Sequence, residues 1–260
     1  MHKFNDVTLL ITHYNRSSSL ERLLNNFRDL QVEFSGIVVS DDGSKPEHLD
    51  KLRSLSEVYR FQLVTTPQNK GLGNNINKGQ DQVKTEFTLY IQEDFVPKPL
   101  FADKFPIALD ALKADKNLDV VRFYAYFTYP YLRPFKAGFS EMIFSVLPWF
   151  HRYRKFYYYS DHPHLRRSSF FKKFGRYKED IPVERTEYQM MMSFLKHKGK
   201  ALFYENYNDL FSQENSSHEP STVTRNYWRE SKNPLIFIAR HLYRQVRFNL
   251  DLLTFKKHDT

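Results

Sequence analysis

The sequence of 260 residues predicts an α/β fold with a mostly parallel central sheet flanked by helices. Three observations carry this. Apolar, β-branched runs alternate with segments of helical period through the first third of the chain. Each strand is joined to the next by a helix-length crossover, as parallel pairing requires. Unusual polar residues gather after the strands, at the edge where ligands of such sheets sit.

Val7–Ile11, VTLLI, reads as a buried strand. In SSSLERLLNNFRDL behind it, Leu20, Leu23, Leu24 and Phe27 fall at helical spacing after a serine N-cap. Gly36–Ser40, GIVVS, predicts the second strand, DDGS a turn, and EHLDKLRSLSEVY a helix. FQLVTT gives a third strand and leads into the glycine- and asparagine-rich PQNKGLGNNINKG, while QDQVKTEFTLYI holds a helix end and the fourth strand. The polar strand ends are then Thr12 to Arg16, Asp41 with Asp42, Asn69 to Gly79, and Glu93 with Asp94. All four are expected to line one cleft.

Beyond Asp119 the pattern changes. DVVRFYAYF is a further strand, whereas PYLRPFKAGFSEMIFSVLPWFHRYRKFYYYS is dense in aromatic and basic residues without a clean period and reads as an inserted loop-and-helix segment. RTEYQMMMSFLKHKGKALFYEN has Met191, Phe194 and Leu195 on a helical face, a glycine stop at Gly199, and a final strand. IFIARHLYRQVRFNLDLL predicts a basic amphipathic helix. The expected organisation is a catalytic domain over 1–232, divided into halves at 1–118 and 119–232, and a C-terminal helix in 233–260.

Composition narrows the function. Thirty-nine Lys and Arg against 30 Asp and Glu give a net charge of +9, which favours phosphate-bearing partners. The absence of cysteine excludes disulfides, thiolate metal sites and a cysteine nucleophile. The N-terminus lacks a signal-peptide pattern, and no apolar run approaches the roughly 20 residues that span a bilayer, so a cytoplasmic protein with at most peripheral membrane contact is expected.

Taken in order, LLITHYNR, IVVSDDGS, NKGLGNNINKG and YIQEDFVPKP resemble the family 2 glycosyltransferases, inverting enzymes of GT-A fold that use nucleotide-diphosphate sugars. The resemblance covers most of the chain. It implies transfer from a UDP- or dTDP-sugar to a hydroxyl of a glycan or lipid-linked glycan, in cell-surface polysaccharide biosynthesis. Thr12, Tyr14, Asn15, Arg16, Asp41, Asp42, Asn69, Gly71, Asn75, Asn77 and Glu93 would line the nucleotide site. A uracil or thymine ring offers an N–H donor between carbonyl acceptors, which Asp42 and Thr12 could read. Asp41 is equally suited to capping its own turn.

A leaving diphosphate carries charge that Mn2+ or Mg2+ on carboxylate oxygens neutralises. By resemblance Asp94 is the metal ligand and His218 touches the metal or diphosphate, although Phe95 stands where an Asp-x-Asp pattern would continue. An inverting transfer also needs a base on the acceptor hydroxyl. In VERTEYQ, Tyr188 occupies the family's usual aspartate position, so the base assignment falls on Glu187, with Glu184 and Asp180 as substitutes. His162 and His164 are expected in a loop or the acceptor pocket. Two other readings fit parts of the chain. One is a sugar nucleotidyltransferase, although THYNRSSS lacks the glycine of a triphosphate loop; the other is a non-enzymatic basic module on nucleic acid or an anionic membrane. The family resemblance points away from nucleic acid and towards the inner face of the cell membrane.

Overall fold

The computed structural model describes residues 2–147, 150, 152–214 and 234–257. The first half runs β1 (His2–His13), α1 (Ser17–Asp29), β2 (Val32–Asp41), α2 (Pro46–Tyr59), β3 (Gln62–Val64), α3 (Gly71–Gln80), β4 (Phe87–Gln92), β5 (Phe95–Pro97) and α4 (Leu100–Ala114). The second runs β6 (Val120–Arg122), β7 (Leu132–Lys136), β8 (Phe139–Met142), β9 (His164–Arg167), α5 (Phe170–Phe174), α6 (Val183–Lys196), β10 (Ala201–Tyr204), β11 (Phe211–Gln213) and α7 (Pro234–Thr254).

Nine strands form one sheet in the order β3-β2-β1-β4-β9-β6-β10-β8-β7, and β11 pairs with β5 in a small second sheet. The pairs β3–β2, β2–β1, β1–β4 and β6–β10 are parallel. β1 explains its own run: Val7, Leu9, Leu10 and Ile11 are fully buried, as a strand covered on both faces must be. Their alternation divides the core. Leu9 and Ile11 join Leu20, Leu23 and Phe101 on one side, while Leu10 joins Ile76, Tyr90 and Met190 on the other.

Several local expectations change. Ser17 is the first residue of α1 rather than its cap; Arg16 holds the cap position, and the Ser17 hydroxyl hydrogen-bonds His48 Nδ1 at 2.9 Å. The glycine- and asparagine-rich stretch is helix α3, despite residue types that disfavour helices. Packing is the reason. A Cβ on Gly79 would stand 2.6 Å from Leu10 Cδ1 and 2.8 Å from Ser40 Cβ, and one on Gly73 would stand 2.4 Å from the Lys178 carbonyl oxygen. The helix can lie this close to the sheet and to the following half only without side chains there.

The aromatic insertion is not loop and helix alone. Its first part is the antiparallel hairpin β7–β8, which extends the sheet through β10, and its only helical piece among the described residues is a short 3-10 turn at Tyr153–Tyr157. His164 is likewise not in a loop. It opens β9, which runs antiparallel between β4 and β6, and it is fully buried. Burial drives its pKa well below the ordinary histidine value, as it does that of His162, to about 3, so both rings are neutral. His218 and the segment 226–233 lie outside the described residues.

Candidate active site

The carboxyl ends of β1, β2 and β4 meet as their parallel pairing requires. Asp42 N–H donates to the His13 carbonyl at 3.0 Å, and Glu93 N–H to the Thr12 carbonyl at 3.3 Å. Glu93 and Asp94 form the tight turn between β4 and β5. Arg16, just before α1, reaches across with NH1 3.1 Å from Asp94 Oδ2 and 3.7 Å from Glu93 Oε1. Gln213 on β11 also donates to Asp94 Oδ2, at 2.9 Å. The other carboxylate oxygen, Asp94 Oδ1, is buried and has no hydrogen-bond partner among the described residues. An acceptor left in that condition costs stability unless something else binds it. Phe95, by contrast, is fully buried against Tyr124 and His162. It begins β5 and faces the core, so it cannot continue a ligand pattern.

The neighbouring acids differ from Asp94. Asp41 is fully enclosed: Oδ1 bonds His13 Nδ1 at 2.8 Å and the Ser44 hydroxyl, and Oδ2 accepts from Ser44 N–H and the Thr65 hydroxyl. Burial pushes its pKa up, but the bonds from His13, Ser44 and Thr65 outweigh that and bring it to about 2. With both oxygens used internally, Asp41 ties the strand ends together instead of facing a ligand. Asp42 accepts the backbone N–H groups of Lys70 and Gly71 at 2.8 and 2.9 Å, and so anchors the start of α3. Burial raises its pKa against those bonds and the charge of Lys78.

The remaining nucleotide-site candidates divide by exposure. Thr12 is buried and its hydroxyl pairs with the Tyr90 phenol at 3.0 Å. Asn75 donates to the His13 carbonyl, and Asn77 to the Tyr177 carbonyl and to Glu179. Both are enclosed and brace α3. Tyr14, Asn15 and Gly71 are half-buried and Asn69 is exposed. Asn15 bridges to the next loop through Ser44 and Lys45. Lys78, not singled out from the sequence, donates to the Asp41 carbonyl and to Asn75 Oδ1, both at 2.6 Å. Burial lowers its pKa to about 8 in spite of Asp42, Asp41 and Glu179.

The acids of the second half also separate. Asp180 and Glu184 are exposed. α6 begins at Val183, so Glu184 lies in its first turn and Glu187 one turn later. Glu187 is half-buried, and its Oε1 accepts the Asp161 N–H at 2.8 Å. Burial above all, and the Asp161 carboxylate next, push its pKa up to about 7. Asp161 is itself buried and raised by desolvation, which outweighs its bond from Tyr177. Tyr177 donates to Asp161 Oδ1 at 2.5 Å, leaving Oδ2 without a partner among the described residues. Two buried acids in contact titrate as a pair. Tyr188, the family's usual aspartate position, instead donates to Asp251 on α7 at 2.7 Å.

A buried polar path joins the halves. Thr12 bonds Tyr90; the Arg166 guanidinium lies 5.7 Å from the Tyr90 ring centre; Arg166 reaches Tyr177, and Tyr177 reaches Asp161, whose N–H meets Glu187. Asp161 was not anticipated. Its signal in the sequence was a lone acid between YYYS and HPHLRR. Gln213 carried no signal, because only the β5–β11 pairing brings it to Asp94.

Comparison with known proteins agrees with this geometry. The chain is 27% identical over 90 residues to the poly-beta-1,6-N-acetyl-D-glucosamine synthase of Staphylococcus aureus, a match covering 35% of this chain and 22% of the synthase. The S. aureus TarS 1–349 structure in complex with UDP-GlcNAc superposes with a TM-score of 0.59 at 15% identity, over 96% of this chain and 76% of that one. The mannosyltransferase PcManGT of Pyrobaculum calidifontis, in complex with GDP-Man and Mn2+, gives 0.57 at 14% identity, over 94% and 64%. These likenesses establish the fold. The model of glycosyl transferase family 2 matches residues 8–175, more than half of the chain, and the protein therefore belongs to that family of glycosyltransferases.

Proposed function

We propose that the protein transfers a sugar from a nucleotide-diphosphate sugar, UDP- or dTDP-linked, to a hydroxyl of a glycan or lipid-linked glycan acceptor, with inversion. In this reading residues 1–118 bind the donor, residues 119–232 receive the acceptor, and 233–260 are appended. The observation that carries it is Asp94: a buried carboxylate at the sheet's carboxyl edge, paired on one oxygen with Arg16 and hydrogen-bonded there by Gln213, and unpartnered on the other among the described residues.

That free oxygen suits a divalent cation. Mg2+ and Mn2+ in phosphate-transfer sites take one or two protein carboxylates and complete their shell with water and substrate phosphates. Asp94 would hold the ion and Glu93 would stand beside it. When bound, the ion neutralises the diphosphate that leaves. The other side chains have separate tasks. Asp42 holds the start of α3 where a base would meet its edge, and Tyr14, Asn15 and Asn69 border the same opening. Arg16 pairs with Asp94 Oδ2 and aims the carboxylate.

On the acceptor side, Glu187 would take the proton of the attacking hydroxyl as its oxygen bonds the anomeric carbon. The bond from that carbon to the diphosphate breaks on the opposite face, and the pair of electrons leaves with the diphosphate. A base with a pKa near 7 is well matched to a reaction run near neutrality. The relatives support the substrate classes: one is named a polysaccharide synthase, and TarS binds UDP-GlcNAc. An acceptor of this kind, if lipid-linked, places the work at the inner face of a membrane.

Thermal shift against UDP, dTDP and GDP, each with and without Mn2+, tests the donor reading. A ligand that binds only the folded form raises the apparent melting temperature. A uridine or thymidine nucleotide is expected to stabilise the protein more with Mn2+ than without, and Asp94→Asn to remove that increment. An increment unchanged in Asp94→Asn, or none for any nucleotide, would overturn the reading.

A further inference from the structure

The helix α7 has two apolar faces, and only one is used. On the first, Phe248 is buried against Phe156 at 4.3 Å and Phe144 at 5.9 Å, Asp251 accepts from Tyr188, and the Leu252 carbonyl accepts from Lys196. On the other, Ile238, Leu242, Val246 and Leu250 follow at intervals of four and so form one stripe. Each is 55–60% exposed, and Leu253, at 72%, continues the stripe. A surface helix normally turns charges towards water. This one turns aliphatic side chains.

We infer that this outer face of α7 docks onto an anionic lipid surface, the helix lying in the plane of the interface. Charge selects that occupant. Arg240, Arg244 and Arg247 succeed one another on the flank between the docked face and the stripe, Arg244 lying 5.3 Å from the Tyr153 ring centre, and the only acid among the described side chains of the helix is Asp251. Asp251 is already held by Tyr188, with Arg247 at 3.6 Å. Beside the helix, a cleft of about 670 Å³ is walled by His241 of α7 and by the exposed Arg152 and Arg154. A second copy meeting this face would bring arginine rows together, whereas phospholipid phosphates would neutralise them. The arrangement is that of an interfacial helix, with aliphatic side chains entering the acyl boundary and cations at the headgroups. No helix among the described residues is long and apolar enough to cross a membrane.

The inference rests on the acceptor reading for its purpose and on α7 alone for its surface, so the two can fail separately. Flotation of the full chain with phosphatidylcholine vesicles containing about a third phosphatidylglycerol, against phosphatidylcholine alone, tests it. Wild type is expected to float with the anionic vesicles and to lose most of that binding in high salt. The double variant V246D/L250D is expected to bind at least about tenfold more weakly. Its nucleotide-induced thermal shift should match wild type, which controls for folding. R240Q/R247Q should lose the preference for anionic vesicles. Equal flotation of V246D/L250D and wild type, or no flotation of wild type at low salt, overturns the inference. So does a wild-type dimer that V246D/L250D converts to monomer while vesicle binding is absent. A normal nucleotide shift in a protein that does not float would leave the catalytic reading standing.

Discussion

The two halves of the molecule solve the problem of buried charge differently. Around β1, β2 and α3, acids are satisfied by neutral partners at the strand ends: Asp41 by Ser44 and His13, Asp42 by the amides that open α3. Around β9 and α6, charge is held in a mesh of buried arginines and tyrosines. Arg122 donates to the Tyr157 and Tyr158 carbonyls, Arg166 to Gln80 and Tyr177, and Tyr177 to Asp161. The first arrangement fixes loops and lowers Asp41, while burial raises Asp42. The second seats the Glu187 carboxylate on the Asp161 N–H and raises both acids, chiefly by burial. On the reading proposed above, the first arrangement suits binding of a donor and the second exchange of a proton.

The sharpest way to break that contrast is Glu187→Gln. Removing a general base is expected to lower kcat roughly a hundred- to ten-thousandfold, while donor affinity, measured by calorimetry with UDP or dTDP, stays within about twofold. Equal losses in both would mean that Glu187 belongs to binding. The donor side is tested by Gly79→Ala. The added methyl would meet Leu10 and Ser40, and such overpacking costs about 1–3 kcal/mol, read as a lower urea midpoint. An unchanged midpoint would mean that α3 has room to shift.

The smallest expected effect is the most specific. Asp161→Asn leaves a polar group beside Tyr177 but removes the negative charge that helps raise Glu187. A base must be ionised to act, so activity rises with pH through a limb near 7, and that limb should move to lower pH in the variant. Stability runs the opposite way. A carboxyl whose pKa is higher folded than unfolded binds its proton more tightly in the folded state. Its contribution is therefore complete below the ordinary carboxylate range and lost as pH rises through about 7. Asp161→Asn should flatten that loss in melting temperature. A limb that does not move would separate Asp161 from the base.

What could be read in advance follows the same division. VTLLI and GIVVS, with helices behind them, were legible as parallel strands, and that parallel pairing brings Thr12, Asp42 and Asp94 to one edge. The family match sets aside the reading of a non-enzymatic binding module. The nature of α3 was hidden because helix propensity opposes it, and only the approach of Leu10, Ser40 and Lys178 explains it. β9 was hidden too. HLRR has two arginines in a central strand, tolerable because Arg166 is enclosed by Gln80, Tyr177 and the Phe170 and Phe171 rings. None of those partners is near it in sequence except the phenylalanines. The hairpin β7–β8 escaped for a different reason: its outer strand is mostly exposed and carries little apolar alternation.

Adjacent residues of α6 are committed to separate neighbours, Glu187 to the backbone of Asp161 and Tyr188 to Asp251 of α7. Trimming the C-terminal helix therefore removes a strut one peptide unit from the proposed base, and a shortened protein that turns over slowly would owe this partly to a loosened carboxylate rather than to a misplaced enzyme.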